Sequence, residues 1–126
     1  MADYDKNNIF AQIIRGEAEA DKIYEDDKLL AFNDIMPAAP THVLVIPKGD
    51  YVSFDDFCVK ASAEDVADFF KKVQMIANEY LGLVDDGYRL IANHGPYASQ
   101  LVPHFHVHIL GGRKLGGLLQ SDKLKR

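Results

Sequence analysis

The chain has 126 residues, which is the size of one domain, so we expect a single domain over 1–126 with a flexible tail at about 121–126. Its hydrophobic content of 48% and charged content of 26% exclude disorder, collagen and coiled coil. The net charge of −5 argues against nucleic acid as a partner, the apolar runs are too short to span a membrane, and the single cysteine, Cys58, predicts a reducing compartment such as the cytoplasm.

The first half of the chain predicts one short helix and three strands. Apolar residues recur at helical spacing over 9–14, after Asn8, and Gly16 stops the pattern. The runs 22–25 and 28–33 predict a hairpin, although the turn between them lacks glycine. Prolines exclude regular structure from MPAAP, and the apolar run 42–47 then predicts a strand buried on both faces.

The second half predicts one long helix and two more strands. Apolar residues between Ser62 and Gly82 repeat at i, i+3 and i+4, which predicts a helix of about five turns with one core-facing side. The segments 87–93 and 104–110 predict strands on either side of a loop. The order of elements therefore predicts an α+β fold: a mainly antiparallel five-stranded sheet with one long and one short helix.

Three histidines alternate with apolar residues in the last of these strands. His104, His106 and His108 would then share one face of the strand, about 7 Å apart. Phe105, Val107 and Ile109 would occupy the opposite face and fix the register.

This pattern allows three interpretations. The first is a polar strand face that uses histidine by chance. The second is a metal site, in which His42 completes a set of three histidines for zinc. The third is nucleophilic catalysis at phosphorus, because a neutral imidazole is a good nucleophile near pH 7 and neighbouring imidazoles can orient it and bind phosphate.

The segment HFHVHILGG, residues 104–112, resembles the His-x-His-x-His signature of the histidine-triad (HIT) family. The likeness covers nearly the whole chain and is strongest to the nucleotide-binding branch, typified by the adenosine phosphoramidases once called protein kinase C inhibitors. The segments that carry it are IFAQIIRGE (9–17), YEDD (24–27), AFNDI (31–35) and APTHVLVIPK (39–48).

The resemblance implies a homodimer that binds a purine nucleoside monophosphate, or a conjugate of one, and cleaves it through a covalent nucleotidyl-histidine with no obligatory metal or cofactor. It implies that His106 is the nucleophile and that His108 contacts the phosphate and helps to protonate the leaving group. His104 and His42 would orient the other two histidines.

The resemblance also implies a nucleotide site. Asn93 would bond near the phosphate and Asp34 would bind the ribose hydroxyls. Without the resemblance, the sequence favours a strand terminator at Asp34, and Asn93 fits a turn cap. The base pocket would be lined by five apolar residues: Ile9, Phe10, Ile13, Phe32 and Ile35.

One position departs from the phosphoramidase branch. A small hydroxyl residue usually stands three positions before the first histidine of the triad and assists the leaving group, but here that residue is Leu101. Leucine cannot donate a hydrogen bond, so we expect amine leaving groups to be handled less well than in typical relatives. Dinucleoside polyphosphate hydrolysis, a regulatory nucleotide-binding protein and a zinc-binding module remain the alternative functions.

Overall fold

The computed structural model describes residues 3–119. The predicted tail at about 121–126 lies outside this range. None of the helices within it has both the length and the apolar character needed to cross a membrane.

A five-stranded antiparallel sheet forms the centre of the fold, which confirms the predicted α+β class. The strands are β1 (Lys22–Glu25), β2 (Leu29–Asn33), β3 (Thr41–Pro47), β4 (Arg89–Ile91) and β5 (Val107–Gly111). Their spatial order is β1-β2-β3-β5-β4, so β3 and β5 are neighbours although they are distant in sequence.

The helices begin at capping residues that the sequence supplies. They are α1 (Ile9–Ile14), α2 (Phe54–Lys60) and α3 (Ala63–Met75), and α3 continues into a π-helical turn, Ile76–Tyr80. The side-chain oxygens of Asn8, Ser53 and Ser62 each accept a backbone N–H in the first turn of the helix that follows. The sequence pattern did not predict α2, which carries the exposed free thiol of Cys58.

The hairpin turn between β1 and β2 contains no glycine, and the side chain of Asp26 stabilises it through hydrogen bonds to the backbone. Asp26 Oδ1 accepts the N–H groups of both Lys28 and Leu29, at 2.8 and 3.0 Å. Lys72 of α3 reaches the other carboxylate oxygen at 2.6 Å and so ties the turn to the long helix.

Both faces of the sheet are covered. Alternate residues of β2 and β3 point to opposite faces, and the hydrophobic side chains divide accordingly. One face packs against α2 and α3 through Phe57, Phe69, Val73 and the strand residues Leu29, Ala31, Val43, Val45, Val107 and Ile109. The other packs against α1 through Phe10, Ile13, Leu30, Phe32, Leu44 and Ile46.

Candidate active site

Two imidazoles meet where β3 and β5 lie side by side. The Nε2 atom of His42 on β3 lies 2.8 Å from the Nδ1 atom of His108 on β5. The ring of His106 lies 5.1 Å from that of His108, measured between centroids. The α1 face of the sheet therefore carries a contiguous group of imidazoles.

The predicted strand over 104–110 is wrong at its beginning, because β5 starts only at Val107. Its partner β3 ends at Pro47, which has no N–H to offer the ladder. The N–H of Phe105 instead donates to the carbonyl of Tyr51, at 2.8 Å. Phe105 still packs in the core with Val107 and Ile109, as the alternation predicts.

The histidines are more deeply buried than a solvent-facing strand surface would allow. His104 is 0% exposed and His106 is 8% exposed. The ring of Phe10 from α1 lies edge-on to both, with centroids 6.2 Å from His104 and 5.0 Å from His106. The short helix α1 thus covers this part of the sheet and restricts access to the imidazoles.

Hydrogen-bond partners fix which nitrogen of each neutral ring carries the proton. His104 Nε2 lies 2.7 Å from the carbonyl of Pro47, and His106 Nδ1 lies 2.7 Å from the carbonyl of His104. A carbonyl only accepts, so both of these nitrogens are protonated. The other nitrogen of His106, Nε2, therefore keeps its lone pair.

Two consecutive hydrogen bonds determine which nitrogens of His42 and His108 carry the ring protons. The backbone N–H of Ala38 donates to His42 Nδ1 at 3.0 Å, so the proton of the neutral His42 ring is on Nε2. That Nε2–H donates to His108 Nδ1, which leaves the proton of His108 on its own Nε2. His108 is thereby a hydrogen-bond donor at its Nε2 atom, whereas the Nε2 atom of the neutral His106 ring presents an unprotonated lone pair.

Burial keeps these rings neutral at pH 7. Desolvation lowers the pKa of His104 to about 4, and desolvation together with the neighbouring His106 and His42 lowers the pKa of His108 to about 4. Desolvation also lowers the pKa of His42 and His106 from the usual value, and the carboxylate of Asp34 partly opposes it.

Asp34 lies against this group of imidazoles. One carboxylate oxygen accepts the N–H of Met36 at 2.8 Å, and the other lies 3.4 Å from His42 Nε2. Asn93 is half-buried and follows β4, whose last residue, Ile91, is paired with His108. The structure therefore places Asp34 against the histidine group, and it places Asn93 two residues beyond the pairing of β4 with His108.

The predicted base-pocket residues divide into a buried and an exposed set. Phe10, Ile13 and Phe32 are buried in one cluster, with the rings of Phe10 and Phe32 5.5 Å apart. Ile9 is 46% exposed and Ile35 is 92% exposed. Ile9 and Ile35 therefore present apolar side chains to solvent, whereas the other three predicted residues form part of the core.

Asp34, His42 and His108 also offer three atoms within 4.8 Å of one another, which is close enough for one metal ion. Ligation through His42 Nε2 needs that atom's lone pair and moves the ring proton to Nδ1. There it would face the N–H of Ala38, which is also a donor. The hydrogen bonding of His42 therefore does not fit zinc and fits a proton relay.

Sequence reasoning missed three groups that organise the site. They are the hydroxyl of Tyr4, the N–H of Ala38 and the side-chain amide of Gln100. The Gln100 amide donates to the carbonyls of Val52 and Val102 and accepts the N–H of Gly95, so it fixes the loop that precedes the histidines. A glutamine in a loop gives no periodic signal that could have predicted this role.

A family match decides the relationship of this chain to known proteins. Residues 15–115 match the HIT domain. The chain belongs to the HIT family. This HIT protein is 50% identical over 119 residues to an uncharacterized HIT-like protein of Rickettsia prowazekii, covering 94% of this chain and 98% of the relative.

Two further similarities connect this HIT protein to a named activity and to a solved structure. It is 42% identical over 119 residues to a purine nucleoside phosphoramidase of Escherichia coli K12, covering 94% and 98% of the two chains. A histidine triad protein from Clostridium difficile superposes with a TM-score of 0.79 at 40% identity, covering 90% of this chain and 96% of that one.

Proposed function

We propose that the protein is a hydrolase that binds purine nucleotides and cleaves nucleoside 5′-phosphoramidates or related nucleotidyl conjugates through a covalent intermediate on His106. The observation that carries the proposal is the state of His106: a neutral ring whose Nδ1–H is held by the carbonyl of His104, which leaves Nε2 unprotonated. The identity to the Escherichia coli phosphoramidase supports this substrate class.

The reaction takes two displacements. In the first, His106 Nε2 forms a bond to the α-phosphorus, the bond from phosphorus to the leaving group breaks, and the leaving group takes up a proton. In the second, a water oxygen bonds to phosphorus, the bond to Nε2 breaks, and the water gives up a proton. The proton borrowed in the first step is returned in the second, and dividing one hard displacement in two lowers the barrier.

His108 and His42 serve the phosphate and the leaving group. His108 donates a hydrogen bond from its Nε2–H to a phosphate oxygen, and His42 holds that N–H on the substrate side by donating to His108 Nδ1. The ring stays neutral and helps to protonate the leaving group by orienting it, while the proton itself comes from solvent. His104 holds the nucleophile through its carbonyl. Each of the four histidines thus has a separate task.

The nucleotide is held by polar groups beside the histidines and by apolar side chains from α1 and β2. Asp34 binds the ribose hydroxyls with the lone pairs that Met36 leaves available, and Asn93 bonds near the phosphate. The purine lies among Phe10, Phe32 and their three apolar neighbours. We propose that no metal is obligatory, because the two displacements use only imidazole nitrogens, hydrogen-bond donors and water.

We also propose a homodimer that works in the cytoplasm. The strand β4 lies at an edge of the sheet, and the side chain of Leu90 within it is exposed, so a second copy can cover this edge. Light scattering should give twice the monomer mass. The exposed free thiol of Cys58 suits a reducing compartment.

Mass spectrometry of protein quenched during turnover of an adenosine phosphoramidate tests the proposal. The quench avoids acid, because phosphorus–nitrogen bonds are acid-labile. We expect a nucleotidyl adduct on the peptide that contains His106, and no adduct or turnover in His106→Asn, which should still bind AMP. Wild-type turnover by His106→Asn would contradict the proposed nucleophile.

The same experiment separates the alternatives. Faster adduct formation from a diadenosine polyphosphate than from the phosphoramidate would indicate a polyphosphate hydrolase. AMP binding with no adduct from either substrate would indicate a regulatory nucleotide-binding protein. His94→Gln is the matched control, because His94 is an exposed loop histidine to which the proposal gives no role.

A further inference from the structure

A short arm of backbone, residues 3–8, precedes α1 and is held firmly in place. The Asn8 side chain donates to the carbonyl of Asp5 at 2.7 Å while also capping α1. The guanidinium of Arg15, at the other end of α1, donates to the carbonyl of Lys6 at 2.7 Å. The arm is therefore part of the ordered fold and not a loose extension.

Tyr4 extends from this arm to the most deeply buried imidazole. Its hydroxyl lies 2.5 Å from His104 Nδ1, and the two rings meet edge-on with centroids 5.5 Å apart. His104 Nε2 donates to the carbonyl of Pro47, so Nδ1 of the neutral ring is an acceptor and the Tyr4 hydroxyl is the donor. Both ring nitrogens of His104 are thus held by groups from other parts of the chain.

The same residue, His104, provides the carbonyl that holds the nucleophile. His106 Nδ1 donates to that carbonyl at 2.7 Å. A ring held at both nitrogens restrains the His104 backbone, and the orientation of that carbonyl sets the direction in which His106 Nε2 points. Tyr4 contacts neither the substrate nor the nucleophile, so an effect on the reaction passes through its two side-chain partners, His104 and the α1 cap Asn8. Only the route through His104 acts on the carbonyl that holds His106.

We infer that Tyr4 is a positioning residue for the nucleotidyl-transfer step: by donating to His104 Nδ1 it fixes the residue whose carbonyl orients His106. The inference rests on the proposed function, since it assigns a task within that reaction. It also assigns the N-terminal arm to the catalytic machinery, which the histidine motif alone does not.

Tyr4→Phe removes only the hydroxyl, and Tyr80→Phe is the matched control because Tyr80 lies at the end of the π-helical turn on the other side of the sheet. We expect Tyr4→Phe to slow adduct formation in a single turnover by about tenfold, the loss expected for one hydrogen bond. AMP affinity should stay the same. Nitrogen-15 NMR of the imidazoles should show a shift of the His106 Nδ1–H resonance, because the His104 carbonyl that accepts from it is no longer held in place, while Tyr80→Phe matches the wild type in all three measurements.

The outcomes separate this inference from the proposed function. An adduct rate and a His106 Nδ1–H resonance unchanged in Tyr4→Phe would overturn the inference and leave the proposed function intact. A parallel loss of rate, AMP affinity and thermal stability would also overturn it, because that pattern indicates general loosening. No adduct in the wild type would overturn the proposed function, and the inferred role of Tyr4 in that reaction would fall with it, whatever the NMR showed of the His106 Nδ1–H resonance.

Discussion

Each of the four imidazoles carries its proton on a nitrogen that a neighbour selects. For His106 and His104 the neighbour is a backbone carbonyl, and for His42 it is a backbone N–H. Backbone groups do not titrate, so the tautomers stay fixed over the whole range in which the rings remain neutral. The pH range of catalysis therefore depends on burial.

The acid limb of kcat/KM should lie below pH 6.5, the usual histidine value. Desolvation lowers the pKa of both His106 and His108, so the reactive neutral forms persist to lower pH than in water. A rate profile between pH 4.5 and 8, corrected for uncatalysed hydrolysis, checks this. A midpoint at or above 6.5 would show that burial does not control the nucleophile.

Leu101→Ser should raise phosphoramidate turnover by about tenfold or more, since one positioned donor is commonly worth that much in the transition state. Leu101 is 88% exposed, so the change should leave the core and the unfolding free energy unaltered. Leu101→Ala is the control for side-chain size. Equal turnover in the serine and alanine variants would show that the missing hydroxyl does not limit amine leaving groups.

The local sequence pattern predicted part of this site, but contacts between distant segments could not be predicted from it. The alternation over 104–109 predicted which side chains enter the core, because strand geometry is local. The contact of Tyr4 with His104 spans 100 positions, and the N–H of Ala38 has no side-chain signature at all. Groups of this kind become visible only in three dimensions.

At the scale of elements, two differences from the sequence pattern have clear causes. The helix α2 is only seven residues long, and its cap, Ser53, follows no strong periodic signal. Its carboxylate Asp56 is buried, accepts the N–H of Val52 and pairs with Lys60, so polar residues stabilise it where the sequence suggested a loop. Strand β5 starts late because Pro47 cannot continue the ladder.

The junction between β5 and the loop before β3 depends on one glycine. Gly112 has φ +91°, and a Cβ there would lie 2.8 Å from Pro40 Cβ and 3.3 Å from the backbone nitrogen of Thr41. Gly112→Ala should therefore lower the free energy of unfolding by about 3 kcal/mol, through strain and steric clash together. Urea denaturation measures the loss.

The adjacent glycine provides the control for this prediction. A Cβ at Gly111 would meet only the end of the flexible Leu83 side chain, at 2.9 Å, and its φ is not left-handed. Gly111→Ala should cost about 1 kcal/mol. Equal losses in the two variants would show that the approach of Pro40 is not the controlling contact.

For the whole molecule, the buried histidines make stability depend on pH. The pKa of His104 is about 4 in the folded state and about 6.5 in an unfolded chain. The unfolded state therefore binds more protons between these values, and stability present above pH 6.5 is lost as the pH falls towards 4. At pH 5 the loss from His104 alone should be about 2 kcal/mol, and His108 contributes in the same direction.

Urea denaturation at pH 7 and pH 5 checks this expectation. His94→Gln should show the same loss as the wild type, because His94 is exposed in the loop after β4. A free energy of unfolding that is constant between the two pH values would contradict the depressed pKa of His104.

The overall architecture was predictable because the alternation in β3 and the periodicity of α3 are strong local signals. The arrangement of α1 over the histidines was not, because an amphipathic helix does not specify which face of a sheet it will cover. The histidines are buried for that reason, and their low pKa values follow from it.

The thiol of Cys58 gives the protein a single natural attachment point for a dye. It is the one cysteine of the chain, it is exposed, and it lies on α2, which packs against the face of the sheet opposite the histidines. A fluorophore coupled through maleimide at this position leaves the imidazoles untouched. A labelled wild-type chain can therefore be used to test the proposed nucleotide binding and the proposed self-association optically, with no engineered cysteine.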